Sequence, residues 1–236
     1  MRKAGFGRGV LAATVLMALT TVAGLVPASR ASAASPAGVT ASPAAVTSVT
    51  PVVRELITVM AASYTTSYAT FRAYNVSGTK KTLVFGPWTA RVGYNGIARP
   101  GKKREGDGRT PSGTYGFSFF FGVDPPVKGF TFPFRHAYTY DYWDDDPASS
   151  RYNEWVNART ANPGRYPEPM HNVPAYNYAA VIAYNSARVR GLGSAIFLHV
   201  GTGSATAGCV SLPQSELLKI LRWLRPADNP RITISG

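Results

Sequence analysis

Cys209 is the only cysteine in 236 residues, and His199 precedes it by ten positions across a stretch of glycines and small side chains. A thiol and an imidazole at that separation are the minimal equipment for a cysteine nucleophile and its general base. Ser194-Ala-Ile-Phe-Leu-His-Val200 is apolar and β-branched enough to be a short buried strand, which would hold His199 rigidly where a loop begins. Beyond Cys209, Ser211 has the chemistry of an N-cap, Pro213 suits a first helical turn, and Gln214 stands where a capping box places its partner. Leu217, Leu218, Leu221 and Leu224 then make one apolar face, so a helix is expected over 212–225, ended by Pro226 and Pro230. On this reading Cys209 lies just ahead of a helix N-terminus, where the macrodipole would lower its pKa from about 8.5. The N–H groups of Gly208 and Cys209 would face a developing oxyanion, helped by the missing Cβ of Gly208.

A secreted chain with one cysteine can form no internal disulfide, so Cys209 is an inert buried thiol, half of an intermolecular bridge, or a reactive group. Its setting between Gly208 and a capped helix, with His199 nearby, favours the last.

The order of four separated blocks carries a resemblance. Thr206-Ala-Gly-Cys-Val-Ser211 with His199 upstream, Arg104-Glu-Gly-Asp-Gly-Arg-Thr-Pro-Ser-Gly-Thr-Tyr115, Trp143 to Pro147 with Tyr152-Asn-Glu-Trp155, and Ala183-Tyr-Asn185 leading to Gly193–His199 together resemble the L,D-transpeptidase (YkuD-type) catalytic domain. The similarity runs from about residue 53 to the end and is strongest to a secreted bacterial subgroup with a short His-to-Cys loop. Ser211 stands where the wider family often has Arg or Asn, which leaves that substrate contact open.

The resemblance implies a mixed β-sheet sandwich or barrel-like core and no metal or organic cofactor. It implies acyl transfer through a Cys209 thioester. The donor bond would join the diamino acid and terminal D-alanine of a peptidoglycan tetrapeptide stem, and the amine of another stem would accept, giving a 3→3 cross-link. An L,D-carboxypeptidase using water at the same Cys-His site is the near alternative; a non-catalytic wall-binding protein with an inert Cys209 is the distant one. Thr206, Ser211, Tyr184, Asn185, His171 and Trp143 are expected near the substrate cleft. The group orienting His199 through its second nitrogen is open between a backbone carbonyl and an acid.

The elements that must position this pair lie in one domain. Arg2, Lys3 and Arg8 precede an apolar run from Val10 to Val26, and Ala31-Ser-Ala33 supplies a cleavage site, so residues 1–33 read as a secretory signal peptide, with an uncleaved membrane anchor as the rival reading of the same segment. Residues 34–51, rich in Ala, Ser, Thr and Pro, read as a linker, and 52–236 as the catalytic domain. Four of the basic charges belong to Arg2, Lys3, Arg8 and Arg30, so cleavage takes the formal net charge from +13 to +9. A basic, exported monomer associated with anionic wall polymers is expected. No recognition-helix or zinc pattern supports nucleic-acid binding, and no second segment is apolar enough to span a membrane.

The fold class read from pattern is mainly β, a β-rich α+β domain with few helices. Strands are expected at Glu55–Met60, Ala69–Tyr74, Trp88–Val92, within Gly113–Phe121 and at Ala179–Tyr184, with a hairpin connection at 76–81. A weaker helix is expected at Asn153–Thr160. Arg104–Arg109 reads as a tight turn whose carboxylates pair with Arg or Lys, having too few acids for a calcium loop. Asp144-Asp-Asp146 reads as a solvated loop, and His136 and His171 as isolated, His171 edging the cleft.

Overall fold

The computed structural model describes residues 52–236; the expected signal peptide and linker lie outside them. The described chain is mainly β. It opens with β1 (Glu55–Ala61), β2 (Tyr68–Ser77) and β3 (Lys80–Arg91), an antiparallel meander whose β2–β3 hairpin turns at Gly78, inside the expected connection. A short pair follows, β4 (Ile97–Ala98) with β5 (Thr110–Pro111), and then β6 (Gly113–Tyr115) and β7 (Phe117–Gly122), which lie far apart in the main sheet. Next come β8 (Phe134–His136), β9 (Asp141–Asp144), β10 (Glu154–Asn157) and β11 (Glu168–Pro169). β12 (Ala179–Ile182), β13 (Phe197–Val200), β14 (Val210–Leu212), α1 (Gln214–Trp223) and β15 (Arg231–Ser235) complete the chain.

Ten of these strands form one mixed sheet in the order β6-β15-β1-β2-β3-β14-β13-β12-β7-β8, while β10-β9-β11 make a separate three-stranded sheet. The decisive pairing is β13 with β14, parallel and in the register Leu198↔Val210, His199↔Ser211 and Val200↔Leu212. Successive side chains on a strand point to opposite faces. Leu198, Val200, Val210 and Leu212 therefore enter the main core, with Ile57, Phe71 and Ile232. Phe197 and Cys209 enter a second, smaller core with Phe121, Trp143, Met170 and Tyr176.

The helix packs on the main-core side, where Leu217, Ile220 and Leu221 are fully buried. It starts at Gln214, its N-cap is Pro213, and no side chain caps it. Ser211 is instead a strand residue, so the expected capping box does not form: pairing with His199 commits its backbone to β14 before the helix begins. The helix also ends earlier than expected, because Leu224 turns extended while staying buried.

The helix expected at Asn153–Thr160 is a correction too. Asn153 adopts φ 62, and Glu154–Asn157 pairs antiparallel with β9, setting Trp155 opposite Trp143. Cross-strand aromatic packing outweighs a weak helical preference here. Asp144–Asp146 is not a solvated loop either. Asp144 is fully buried at the end of β9 and accepts the Asp146 N–H at 3.1 Å and the Ser149 hydroxyl at 2.5 Å.

Candidate active site

Cys209 and His199 are brought together by strand register. Cys209 precedes β14 by one residue and lies opposite Phe197, so the Phe197 N–H donates to the Cys209 sulfur at 3.3 Å. His199 sits two residues further along β13, on the same face by alternation. Both line a cavity of about 290 Å³.

The Cys209 loop is fixed by three hydrogen bonds. The Cys209 carbonyl accepts hydroxyls from Thr206 at 2.7 Å and Thr110 at 3.1 Å, and Thr206 Oγ1 also accepts the Gly208 N–H at 3.2 Å. Gly208 sits in close quarters: a Cβ there would meet the Arg109 carbonyl oxygen at 3.2 Å and Ile196 Cδ1 at 3.3 Å, a tight fit that the neighbours would have to relieve. The thiol itself donates to the Ala195 carbonyl at 3.2 Å.

His199 Nδ1 is 2.8 Å from the Val200 carbonyl. A carbonyl only accepts, so Nδ1 carries the proton and Nε2 is left with the lone pair that a general base needs. The orienting group is thus a backbone carbonyl. Tyr176 packs edge-on against the imidazole, with ring centroids 5.5 Å apart at 89°.

Burial decides the protonation of both groups. It pushes the Cys209 thiol up to about 12; the Phe197 N–H opposes the rise, the nearby Glu168 carboxylate adds to it, and Lys103 counteracts it. Burial likewise depresses His199 to about 4, against the pull of the Val200 and Ala175 carbonyls. The resting pair is a neutral thiol and a neutral imidazole. The thiolate expected at a helix N-terminus is therefore corrected: α1 begins five positions after Cys209, beyond a strand, and packs against the opposite face of the sheet.

The cavity has an acidic wall that spacing did not reveal. Glu105, Asp145 and Glu168 line it beside Lys103, which is held by Asp107 at 2.6 Å as the Arg104–Arg109 turn was expected to provide. Burial first, and then the charges of Glu105 and Glu168, raise Asp145 to about 7. Glu168 is raised by burial, opposed by hydrogen bonds from Tyr176 and Asn172. Only Asp145 and Glu105 had a sequence signal, as members of motifs; Glu168 and Tyr176 had none.

Of the cleft residues expected from sequence, Thr206 lines the cavity, while Ser211, Tyr184, Asn185, His171 and Trp143 do not. Ser211 is buried beside His199 in the strand pairing. Tyr184 lines a separate small cavity with Tyr115 and Leu192, and Asn185 ties its own turn to Val189 and Gly193. Trp143 is buried with its ring against Phe197, and exposed His171 precedes Asn172, which does reach the cavity. His136 packs on Tyr138, away from the pair.

Against known families, residues 65–234 match the model of the L,D-transpeptidase catalytic domain. The chain belongs to the L,D-transpeptidase catalytic-domain family. That match contains every residue of the Cys209 cavity, from Lys103 to Cys209. No curated protein matches the chain. Among solved structures, this L,D-transpeptidase domain is similar to the helical cell shape determining protein Pgp2 from Campylobacter jejuni, at 14% identity and a TM-score of 0.36. The similarity covers 76% of this chain and 46% of that one, so the L,D-transpeptidase chain spans less than half of Pgp2's length.

Proposed function

We propose that this L,D-transpeptidase domain cross-links peptidoglycan, with Cys209 as nucleophile and His199 as base. The observation that carries the reading is the shared face: the thiol, one residue ahead of β14, and the imidazole, on the adjacent parallel strand β13, line one cavity. His199 Nε2 takes the thiol proton as the sulfur attacks the carbonyl between the diamino acid and D-alanine of a tetrapeptide stem. The tetrahedral oxyanion is met by the Cys209 N–H; the Gly208 N–H already serves Thr206 and joins only by exchanging that bond. Collapse breaks the C–N bond, His199 returns its proton to the departing D-alanine amine, and a thioester remains. The amine of a second stem then attacks the thioester and gives a proton to His199. The thiolate leaves, regains that proton, and a 3→3 cross-link is formed.

The neutral resting pair suits this order of events. Burial keeps the thiol protonated until substrate is bound, which protects it from oxidation outside the cell. The domain of residues 52–236 would work extracytoplasmically, delivered by residues 1–33 and held near anionic wall polymers by its basic charge.

The test is intact-mass spectrometry of residues 34–236 incubated with a disaccharide tetrapeptide, beside the Cys209→Ala variant. Expected are loss of D-alanine, an acyl adduct on the wild type alone, and a dimeric 3→3 product. Tripeptide without dimer would assign the site to hydrolysis. A folded protein with neither adduct nor D-alanine release would refute the proposal.

A further inference from the structure

The Tyr152-Asn-Glu-Trp155 motif stands outside the cavity, yet its first two residues reach the cysteine through one intermediate. Ala195, whose carbonyl accepts the Cys209 thiol at 3.2 Å, has φ 51, a left-handed conformation that an alanine adopts only when its surroundings impose it. Three hydrogen bonds impose it. The Ala195 N–H donates to Asn153 Oδ1 at 3.3 Å, the Gly193 N–H donates to the Tyr152 hydroxyl at 3.0 Å, and the Ser194 hydroxyl donates to Glu105 Oε2 at 2.7 Å. Tyr152 in turn donates to that same Glu105 oxygen, which closes the clamp.

Asn153 is the hub. Its Oδ1 accepts both the Ala195 N–H and the Trp143 indole N–H, the latter at 2.8 Å, while Nδ2 donates to the carbonyls of Asn185 at 2.9 Å and Tyr184 at 3.3 Å. Every hydrogen-bonding capacity of the amide is used, and no other side chain of that size offers two acceptor sites and two donors in this arrangement. Asn153 itself sits at φ 62, so two residues in left-handed conformation face each other across the clamp. Two positions beyond Ala195, the strand supplies the Phe197 N–H that donates to the same sulfur.

We propose that Asn153, braced by Tyr152 and Glu105, is a positioning residue that holds the Ala195 carbonyl and the Phe197 N–H against the Cys209 sulfur. The carbonyl holds the thiol proton in the resting state, and the N–H supports the sulfur once that proton has moved to His199. The clamp deepens the proposed function and rests on Cys209 being the nucleophile.

Releasing the clamp has opposite effects on two reactions. With the 193–197 segment loosened, water reaches the sulfur and relieves the burial that chiefly keeps the thiol protonated, which outweighs the lost Phe197 N–H, so a small alkylating reagent reacts faster. Attack on a large bound peptide needs the orientation that has been lost, so it slows. His199, Tyr176, Glu168, Lys103 and Asp145 line the cavity around the sulfur from the surrounding elements, and Glu105 lines it as part of the clamp.

The experiment measures iodoacetamide alkylation of Cys209 against pH, and donor turnover in parallel, for wild type and Asn153→Gly. Glycine keeps the left-handed backbone and removes only the amide. Alkylation at pH 7 should rise about tenfold, equivalent to one unit of thiol pKa, while kcat for the tetrapeptide falls with little change in KM. If Asn153→Gly does not unfold cooperatively, Tyr152→Phe, which removes the bonds to Gly193 and Glu105, is read for the same divergence. A folded variant whose alkylation profile superimposes on that of the wild type overturns the clamp and leaves the proposed function standing. A wild type that alkylates yet never acylates overturns the proposed function and with it the clamp's positioning role in catalysis, while a raised alkylation rate in Asn153→Gly still supports its hold on the sulfur.

Discussion

Thr110 reaches across the fold to hold Cys209: its hydroxyl donates to the Cys209 carbonyl at 3.1 Å, and the same oxygen accepts the Gly93 N–H at 2.9 Å. Both residues are buried. The Glu-Gly-Asp-Gly-Arg-Thr segment is thereby joined to the Cys209 backbone through one atom.

Thr110→Val keeps the shape and removes that atom, leaving a buried N–H without its acceptor. A loss of about 1–3 kcal/mol in unfolding free energy is expected, with slower acylation because the Cys209 carbonyl is then held by Thr206 alone. Chemical denaturation and single-turnover acylation check the two parts separately.

Cys209→Ala should abolish acylation, a fall of about 10⁴-fold or more, with a retained fold, since the thiol makes only two weak hydrogen bonds. The same variant should flatten the alkaline limb of stability. In the wild type the folded thiol titrates near 12, above its unfolded value, so its contribution is complete below about pH 8.5 and is lost as pH rises towards 12. Thermal unfolding from pH 8 to 10.5 would show the two proteins diverging.

His199 has the opposite sign. Its folded pKa of about 4 lies below the unfolded value of about 6.5, so the unfolded chain binds a proton first as pH falls. Stability should drop by about 3 kcal/mol between pH 6.5 and 4 from this group, and His199→Gln should lose that share of the slope. Denaturation midpoints at pH 7 and 4.5 are sufficient; equal slopes in the two proteins would contradict it.

Asp145 titrates near 7 when folded, far above an ordinary carboxylate, so its ionisation is penalised as pH rises from about 4 to 7. Asp145→Asn should therefore raise the melting temperature at pH 8 and leave it unchanged at pH 4. It should also ease the charge on the wall shared with Glu105 and Glu168, which lowers affinity for any cationic group bound there. Differential scanning calorimetry at the two pH values reads the first effect.

The β-rich class and most strands were legible in the chain itself. Alternation at Glu55–Ala61 and Tyr68–Ser77, and the Gly78 turn between β2 and β3, are encoded by near neighbours, and near neighbours suffice for strands and hairpins. That Cys209 and His199 would share one cavity was legible too: only one thiol exists, and a buried strand carries the imidazole towards it.

What surrounds that pair was decided by tertiary structure alone. A local reading put Cys209 at a helix N-terminus with a lowered pKa; β14 intervenes, and burial by Phe197, Tyr176 and Trp143 raises it instead. Asp145, Glu168 and Tyr176 come from distant stretches, and the turn at Asn153, read locally as helix, becomes the support of Ala195. The physical reason is one of range: propensity and periodicity act over a few residues, whereas desolvation, charge and hydrogen-bond closure depend on which distant segments share a face of the sheet.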